Sequence, residues 1–508
     1  MRPRSAPGRF FLFALFLAFL AGAAHAGEPA PVANHIILVI GDGMQAGNET
    51  AASRYLFGRD DGLSFHAFPY RGWVATWDVT VYNRQAPSLG LPPYNPSAVN
   101  PKAGCDAAPA GKAPAPPGGP RYTCRAPNGG GPGADSASTA TAWATGYKTD
   151  TGNVAWLPGD PHGGALTTIA ELLRQKRGCS IGLVTTVPFF DATPAAHAGR
   201  NKSRRNRHAI ADEIIRSVQP DVVIGGGHPA RSGKTFLSAS LYEEARAGRI
   251  EAYVFVERQD GVDGARALKE AAARAVREKR KLFGLFGGEG GNFEPPVPSN
   301  DGTAAVKRGA VENPLLRDAV LAALKVLSRN KNGFFLLVEQ GDIDWANHAG
   351  DYAWMIGTMW DLDEAVRAAV EFVNRPGDDI TWANTLLIVT SDHATGALRF
   401  DEARRLGKGR LPAQAPGLCP DRMAWCPGYP GGEVRYISAG HLNEPVPIYA
   451  MGDGALTRHL RQFQGCWYPC TTLIDNTHLF HAMTNAAGIP QPSPLRAVVT
   501  RPTACPGQ

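Results

Sequence analysis

Short apolar runs recur along the chain, each separated from the next by a stretch with helical periodicity. The runs are HIILVIGDG (35–43), SIGLVTT (180–186), DVVIGGG (221–227), FFLLVEQGD (334–342), TLLIVTSDH (385–393) and VPIYAMGDG (446–454). Between them, residues 166–177, 207–218, 262–282, 314–329 and 352–374 repeat apolar side chains at helical spacing. A strand that is apolar at successive positions needs cover on both faces, and a parallel sheet sandwiched between helices supplies it. The expected architecture is therefore α/β, with a mostly parallel central sheet between helical layers. Two Pro/Gly-rich stretches, at about 82–134 and 394–440, break the rhythm and read as loop insertions on the rim of one domain.

Residues 1–26 carry a basic head, the run FFLFALFLAFLAGAA, and small residues at Ala24 and Ala26. That is the pattern of a secretory signal, and its apolar run is shorter than the roughly 20 residues a membrane span needs. The expectation is a removed signal at 1–26 and a single catalytic domain at 27–508, periplasmic or secreted, with no membrane anchor. The formal net charge is +6, and Arg2, Arg4 and Arg9 of the signal supply half of it. What remains is too small and too scattered for nucleic acid to be a specific partner. Eight cysteines in an exported chain imply disulfides, and Cys105 with Cys124 and Cys419 with Cys426 are the natural local pairs.

The acids fall at telling places. Asp42, Glu339 and Asp392 each follow an apolar run, so three strands deliver carboxylates to one sheet edge, where ligands bind in open α/β sheets. Unpaired, these groups would be costly to bury, so a cation belongs among them. Asp344 and His348 stand i, i+4, on one face of a helical turn, and His441 precedes the last run. Oxygen and imidazole donors together suit divalent metals. The segment GPGADSASTATAWATGYK (131–148) sets Asp135 and Ser136 at the head of an Ala-rich helix that Gly131, Pro132 and Gly133 forbid to start earlier. A serine there is offered to anions by the helix end.

These blocks, in order from about His35 to about Gly488, resemble the alkaline phosphatases. DSASTATAWATGYKT (135–149) resembles the family's nucleophile motif, and DATPAA (191–196), VEQGDIDWANH (338–348), TSDH (390–393), GHLNEPVPIYA (440–450) and DNTHLFHAM (475–483) resemble its later blocks. The resemblance implies a phosphomonoesterase with two zinc ions and one magnesium ion. Ser136 would be the nucleophile; Asp344, His348 and His441 would hold one zinc. Asp42, Asp392, His393 and the Ser136 oxygen would hold the other. Asp42, Thr193 and Glu339 would hold magnesium, and Arg204 would bind phosphate, with Arg200, Arg205 and Arg207 as rivals in the same basic run. Asp191 agrees with bacterial members, whereas Trp345 stands where those carry Lys. A homodimer is implied by the resemblance alone. The alternatives are a phosphodiesterase or other hydrolase of the superfamily, and a non-catalytic periplasmic protein that binds phosphate or metal.

Overall fold

A computed structural model describes residues 32–109, 122–125, 133–229, 236–416 and 427–491. The proposed signal and the Cys419–Cys426 pair lie outside the described residues. Ten strands make one sheet: β1 (His35–Gly41), β2 (Tyr70–Ala75), β3 (Ser180–Pro188), β4 (Val222–Gly226), β5 (Tyr253–Glu257), β6 (Lys281–Leu285), β7 (Phe334–Gln340), β8 (Thr385–Thr390), β9 (Val446–Met451) and β10 (Leu473–Asp475). Their spatial order is β10-β2-β9-β8-β1-β7-β3-β4-β6-β5. Neighbours run parallel except β9, which is antiparallel to both β8 and β2. Each apolar run of the sequence becomes a strand, and β2, β5, β6 and β10 are additional.

The helices that cover the sheet and carry the site are α1 (Ala46–Phe57), α2 (Ser136–Thr145), α3 (Ile169–Arg177), α4 (Ala192–Ala198), α5 (Gly264–Glu278), α6 (Leu316–Leu327), α7 (Asp342–Ala349), α8 (Tyr352–Val373) and α9 (Asn476–Ala486). β1 shows why the strands are apolar throughout. Ile36, Leu38 and Ile40 pack into the core beneath α2, α3, α4 and α9, while Ile37 and Val39 pack into the core beneath α1, α5, α6, α7 and α8. Each such side chain contributes about 1.5–3 kcal/mol when fully buried. The segment expected to be helical at 207–218 is α-helical over Arg207–Asp212 and continues as a π-helical stretch over Glu213–Val218.

The described part of the first insertion is not a bare loop. Trp77, Tyr82, Val99 and Tyr122 form a third apolar cluster with Trp467 and Tyr468. A disulfide joins Cys105 to Cys124 across the hairpin formed by Asp106–Pro109 and Tyr122–Arg125. Among the described residues, no helix is long and apolar enough to cross a membrane.

Candidate active site

Strand register brings the acids together. Ile40 of β1 pairs with Thr390 of β8 on one side and Glu339 of β7 on the other, and Glu339 pairs with Thr185 of β3. The chain leaving these four ends therefore presents Asp42, Glu339, Asp392 and, at the head of α4, Asp191 and Thr193. A cavity of about 560 Å³ opens over them, lined among others by Asp42, Ser136, Thr193, Arg204, Glu339, Asp344, His348 and His441. Asp392 and His393 complete the cluster and are fully buried.

Ser136 is the first residue of α2. Asp135 is the N-cap, its carboxylate accepting from the Ala137 N–H at 3.0 Å and the Gly152 N–H at 3.1 Å. Every residue of α2 is buried, so the small side chains seen in the sequence let the helix sit tightly against the sheet. Ser136 Oγ lies 3.1 Å from His393 Nε2. Gly133, just upstream, packs against the Leu442 backbone, where a Cβ would come within 2.5 Å. This close approach lets the Ala134 carbonyl meet His441 Nδ1 at 2.9 Å.

Hydrogen bonding assigns the imidazole tautomers. Nδ1 of His441 faces the Ala134 carbonyl and Nδ1 of His348 faces the Ala439 carbonyl, so each Nδ1 carries the proton. In the neutral rings the two Nε2 atoms then hold lone pairs, yet they face one another at 3.1 Å. Asp344 on α7 adds its carboxylate, 3.1 Å from His348 Nε2 and 3.7 Å from His441 Nε2. Thr395 Oγ1 donates to Asp344 Oδ1 at 2.6 Å, so its oxygen accepts from His393 Nδ1 at 3.1 Å. His393 Nε2 is thereby also a lone pair, 3.1 Å from Asp392 Oδ2 and 3.7 Å from Asp42 Oδ1. Asp42 Oδ1 and Asp392 Oδ2 are buried and complete no hydrogen bond. Donor atoms of Asp42, Asp392 and His393 converge within 4.8 Å, as do those of Asp344, His393 and His441. Carboxylates and imidazole lone pairs aimed at common points fit divalent cations, and nothing else in the described site would satisfy them.

A third convergence lies next to Asp42. Glu339 Oε2 accepts from Thr185 Oγ1 at 2.5 Å. The Thr193 hydroxyl is buried beside the same carboxylate but completes no hydrogen bond. Burial raises Glu339 to a pKa of about 8 against the Thr185 hydrogen bond that favours its charge, with Asp191 and Asp392 adding repulsion. Burial and the charges of Asp392, Asp344 and Glu339 push Asp42 well above the usual carboxylate range. Asp344 moves the other way. Burial opposes its charge, but His348 and His441, which in their protonated forms donate to it and attract it, outweigh that cost. A cluster whose carboxylates hold protons this firmly without a cation is one built to hold cations.

The basic run resolves into distinct roles. Arg204 donates to Asp135 Oδ1 at 2.8 Å and Asp191 Oδ1 at 2.7 Å. Burial opposes its charge, but these two carboxylates raise its pKa. Two of its five N–H donors are thus spoken for, and it still lines the cavity. Arg200 is bound to Glu171 and Glu213 instead. Arg205 and Arg207 line the same cavity, as does Trp345, which is 46% exposed.

Two contributors carry no motif signal. Thr395 bridges the two halves of the cluster through its hydroxyl. Gly43, at φ +70°, stands where a Cβ would lie 2.7 Å from Asp344 Cα, and its N–H donates to Asp392 Oδ1 at 2.9 Å.

The sequence profile of the family described as alkaline phosphatase matches residues 130–414. The alkaline phosphatase of Escherichia coli strain K12 is 31% identical over 397 residues, covering 70% of this chain and 74% of that protein. Alkaline phosphatase 4 of Bacillus subtilis is 31% identical over 267 residues, and this chain spans only about half of that relative's length, 49%. Among solved structures, the alkaline phosphatase of Thermus thermophilus superposes with a TM-score of 0.58 at 21% identity. It covers 95% of this chain and 97% of its own. That likeness speaks to the fold, a mostly parallel sheet between helices.

Proposed function

This chain belongs to the alkaline phosphatase family, a family of metal-dependent phosphomonoesterases, and we propose that it hydrolyses phosphate monoesters through a phosphoserine on Ser136. The observation that carries the reading is the placement of Ser136 Oγ at the head of a buried helix, 3.1 Å from the His393 Nε2 lone pair and at the wall of the cavity.

In this reading Asp344, His348 and His441 hold one zinc ion. Asp42, Asp392 and His393 hold a second, with the Ser136 oxygen as a further ligand. Asp42, Thr193 and Glu339 hold magnesium. When bound, the ions supply Lewis-acid stabilisation to the attacking and leaving oxygens. Everything else comes from the chain. Ser136 Oγ, its proton released to solvent, attacks phosphorus, the bond from phosphorus to the ester oxygen breaks opposite it, and the departing oxygen leaves as the alcohol with a proton from water. The N-terminal peptide dipoles of α2 favour negative charge at that point. Arg204, held in plane by Asp135 and Asp191, offers its remaining N–H donors to the phosphoryl oxygens. Asp191 and Asp135 therefore position Arg204 rather than touch substrate. Water then attacks the phosphoserine from the side the alcohol left.

Export through the 1–26 signal, one catalytic domain over 27–508, and a homodimer belong to the same proposal and rest on sequence and resemblance. The test is acid trapping with labelled ester, followed by peptide mapping. Label on the peptide that holds Ser136, with net retention of configuration at a chiral phosphorus, is the expected result. Label on any other residue removes the Ser136 assignment, and inversion removes the covalent step.

A further inference from the structure

The cavity over Ser136 is larger than its reacting end requires. About 560 Å³ is the size of pocket that encloses an organic ligand of drug dimensions, not an inorganic phosphate alone. Its inner wall is the carboxylate and imidazole cluster with Arg204. Its outer wall is of a different kind, made by Trp345, Trp354, Arg205 and Arg207.

Each outer residue is in a state that a ligand would complete. Trp345 is 46% exposed, one of the few large apolar side chains that are. It sits on α7 directly after the metal-cluster residue Asp344, so its indole is fixed relative to the reacting end. Trp354, on the first turn of α8, has its indole Nε1 buried with no hydrogen-bond partner. Arg205 and Arg207 are exposed, and among the described residues no carboxylate pairs with either guanidinium. Arg204, just before them in the chain, takes the nearby acids Asp135 and Asp191. The rim is thus two indoles beside two unpaired guanidinium groups.

From this we infer that the mouth is a leaving-group subsite, specific for phosphate monoesters whose organic part carries a planar ring and a second negative charge. The inference rests on the reading of Ser136 as the reacting end. A ring laid on exposed indole gains stacking of the kind that holds bases on aromatic side chains. A second anionic group reaches Arg205 and Arg207, whose forks bind carboxylate or phosphate in two points. An ester with a cationic organic part meets the same two arginines and is repelled.

The test uses non-hydrolysable phosphonates, so that it does not depend on turnover. Dissociation constants are measured by calorimetry on the full metal-loaded chain for 4-carboxybenzylphosphonate, its 4-trimethylammonio counterpart and methylphosphonate. In the natural protein at low ionic strength the carboxylated compound binds at least tenfold more tightly than the cationic one. In Arg205→Gln/Arg207→Gln that ratio falls toward unity. In Trp345→Ala the ratio of carboxybenzyl to methyl affinity falls about tenfold. High salt compresses the first ratio but not the second. Ratios that stay put in both folded, metal-replete variants overturn the subsite, whatever the rates. If the ratios move as stated but the natural protein hydrolyses no ester, the catalytic reading fails and the subsite stands.

Discussion

His348 and His441 face one another through Nε2 atoms 3.1 Å apart, while the Nδ1 of each is committed to a backbone carbonyl. Two lone pairs so placed repel unless a cation or a proton stands between them. Binding of the cation to the folded state alone therefore adds stability, about 2.7 kcal/mol when free metal is a hundredfold above its dissociation constant. Chelation at pH 8 is expected to lower Tm by several degrees, and zinc to restore it. In His348→Leu one of the two lone pairs is gone, so the drop on chelation should shrink. Calorimetry with and without chelator checks both, and an equal drop in the variant would contradict the pairing.

Glu339→Gln separates the third convergence from the other two. Only Asp42 is shared between the proposed magnesium group and a zinc group, and among the described residues no hydrogen bond or ion pair joins Glu339 to Asp344, His348 or His441. The variant should retain about two ions per chain after dialysis, where the natural protein is expected to hold three. Loss of all three would show that the sites are not independent.

Thr395 offers a sharper test of how the cluster is held. Thr395→Val keeps the shape and removes the hydroxyl that joins Asp344 to His393. Partners of metal ligands of this kind are worth about 10- to 100-fold in metal affinity. Competition titration against a chelator should show a loss in that range for the Val variant and near-natural affinity for Thr395→Ser. Equal affinity in all three would leave the hydroxyl with no positioning role.

Acid sensitivity should come largely from a histidine outside the proposed metal cluster. His478 on α9 accepts the Asp475 N–H at its Nδ1, at 3.0 Å, and stacks on Phe463. Burial lowers its pKa from 6.5 to about 3, against the attraction of Asp475. The unfolded chain binds this proton near pH 6.5 and the folded one only near pH 3, so stability falls as pH drops through that window. The loss is about 5 kcal/mol at most. His35, His197 and His481, each lowered to about 4 mainly by burial, act in the same direction. Gln can accept the same N–H without titrating. The fall in Tm between pH 6.5 and 4 should be shallower for His478→Gln than for the natural protein.

The strands that could be read from sequence are those whose two faces are both apolar, because burial on both sides erases alternation and leaves a run. β6 escaped notice because the helical pattern at 262–282 flows into it. The chain turns at Lys279, whose φ of +54° ends α5, and Lys281 already begins the strand. β5 does carry a short apolar run, Tyr253–Val256, but it lies at the sheet edge with its last three residues half-exposed. In the site, Asp344 and His348 were legible because one helical turn fixes their relation. Arg204 stands at the family's spacing after Thr193, but Arg200, Arg205 and Arg207 remain rivals in sequence, and only the fold shows that the Arg204 guanidinium is the one that meets Asp135 and Asp191. Thr395 was invisible for the same reason: its partners are an aspartate 51 residues away and a histidine whose tautomer depends on it.

The bond from Gly43 N–H to Asp392 Oδ1 closes a loop of 349 residues, and Ser136 reaches His393 across 257. No contiguous fragment owns the reaction centre; it comes into being when the early and late halves of the chain meet at β8 and β1. Such long closures form late and slowly. A chain still being synthesised therefore lacks a working centre, and neither turns over phosphate esters nor takes up scarce metal before it is complete. Recovered hydrolysis is for that reason a stringent reporter of completed folding, since it requires the long-range pairing that local structure alone does not give.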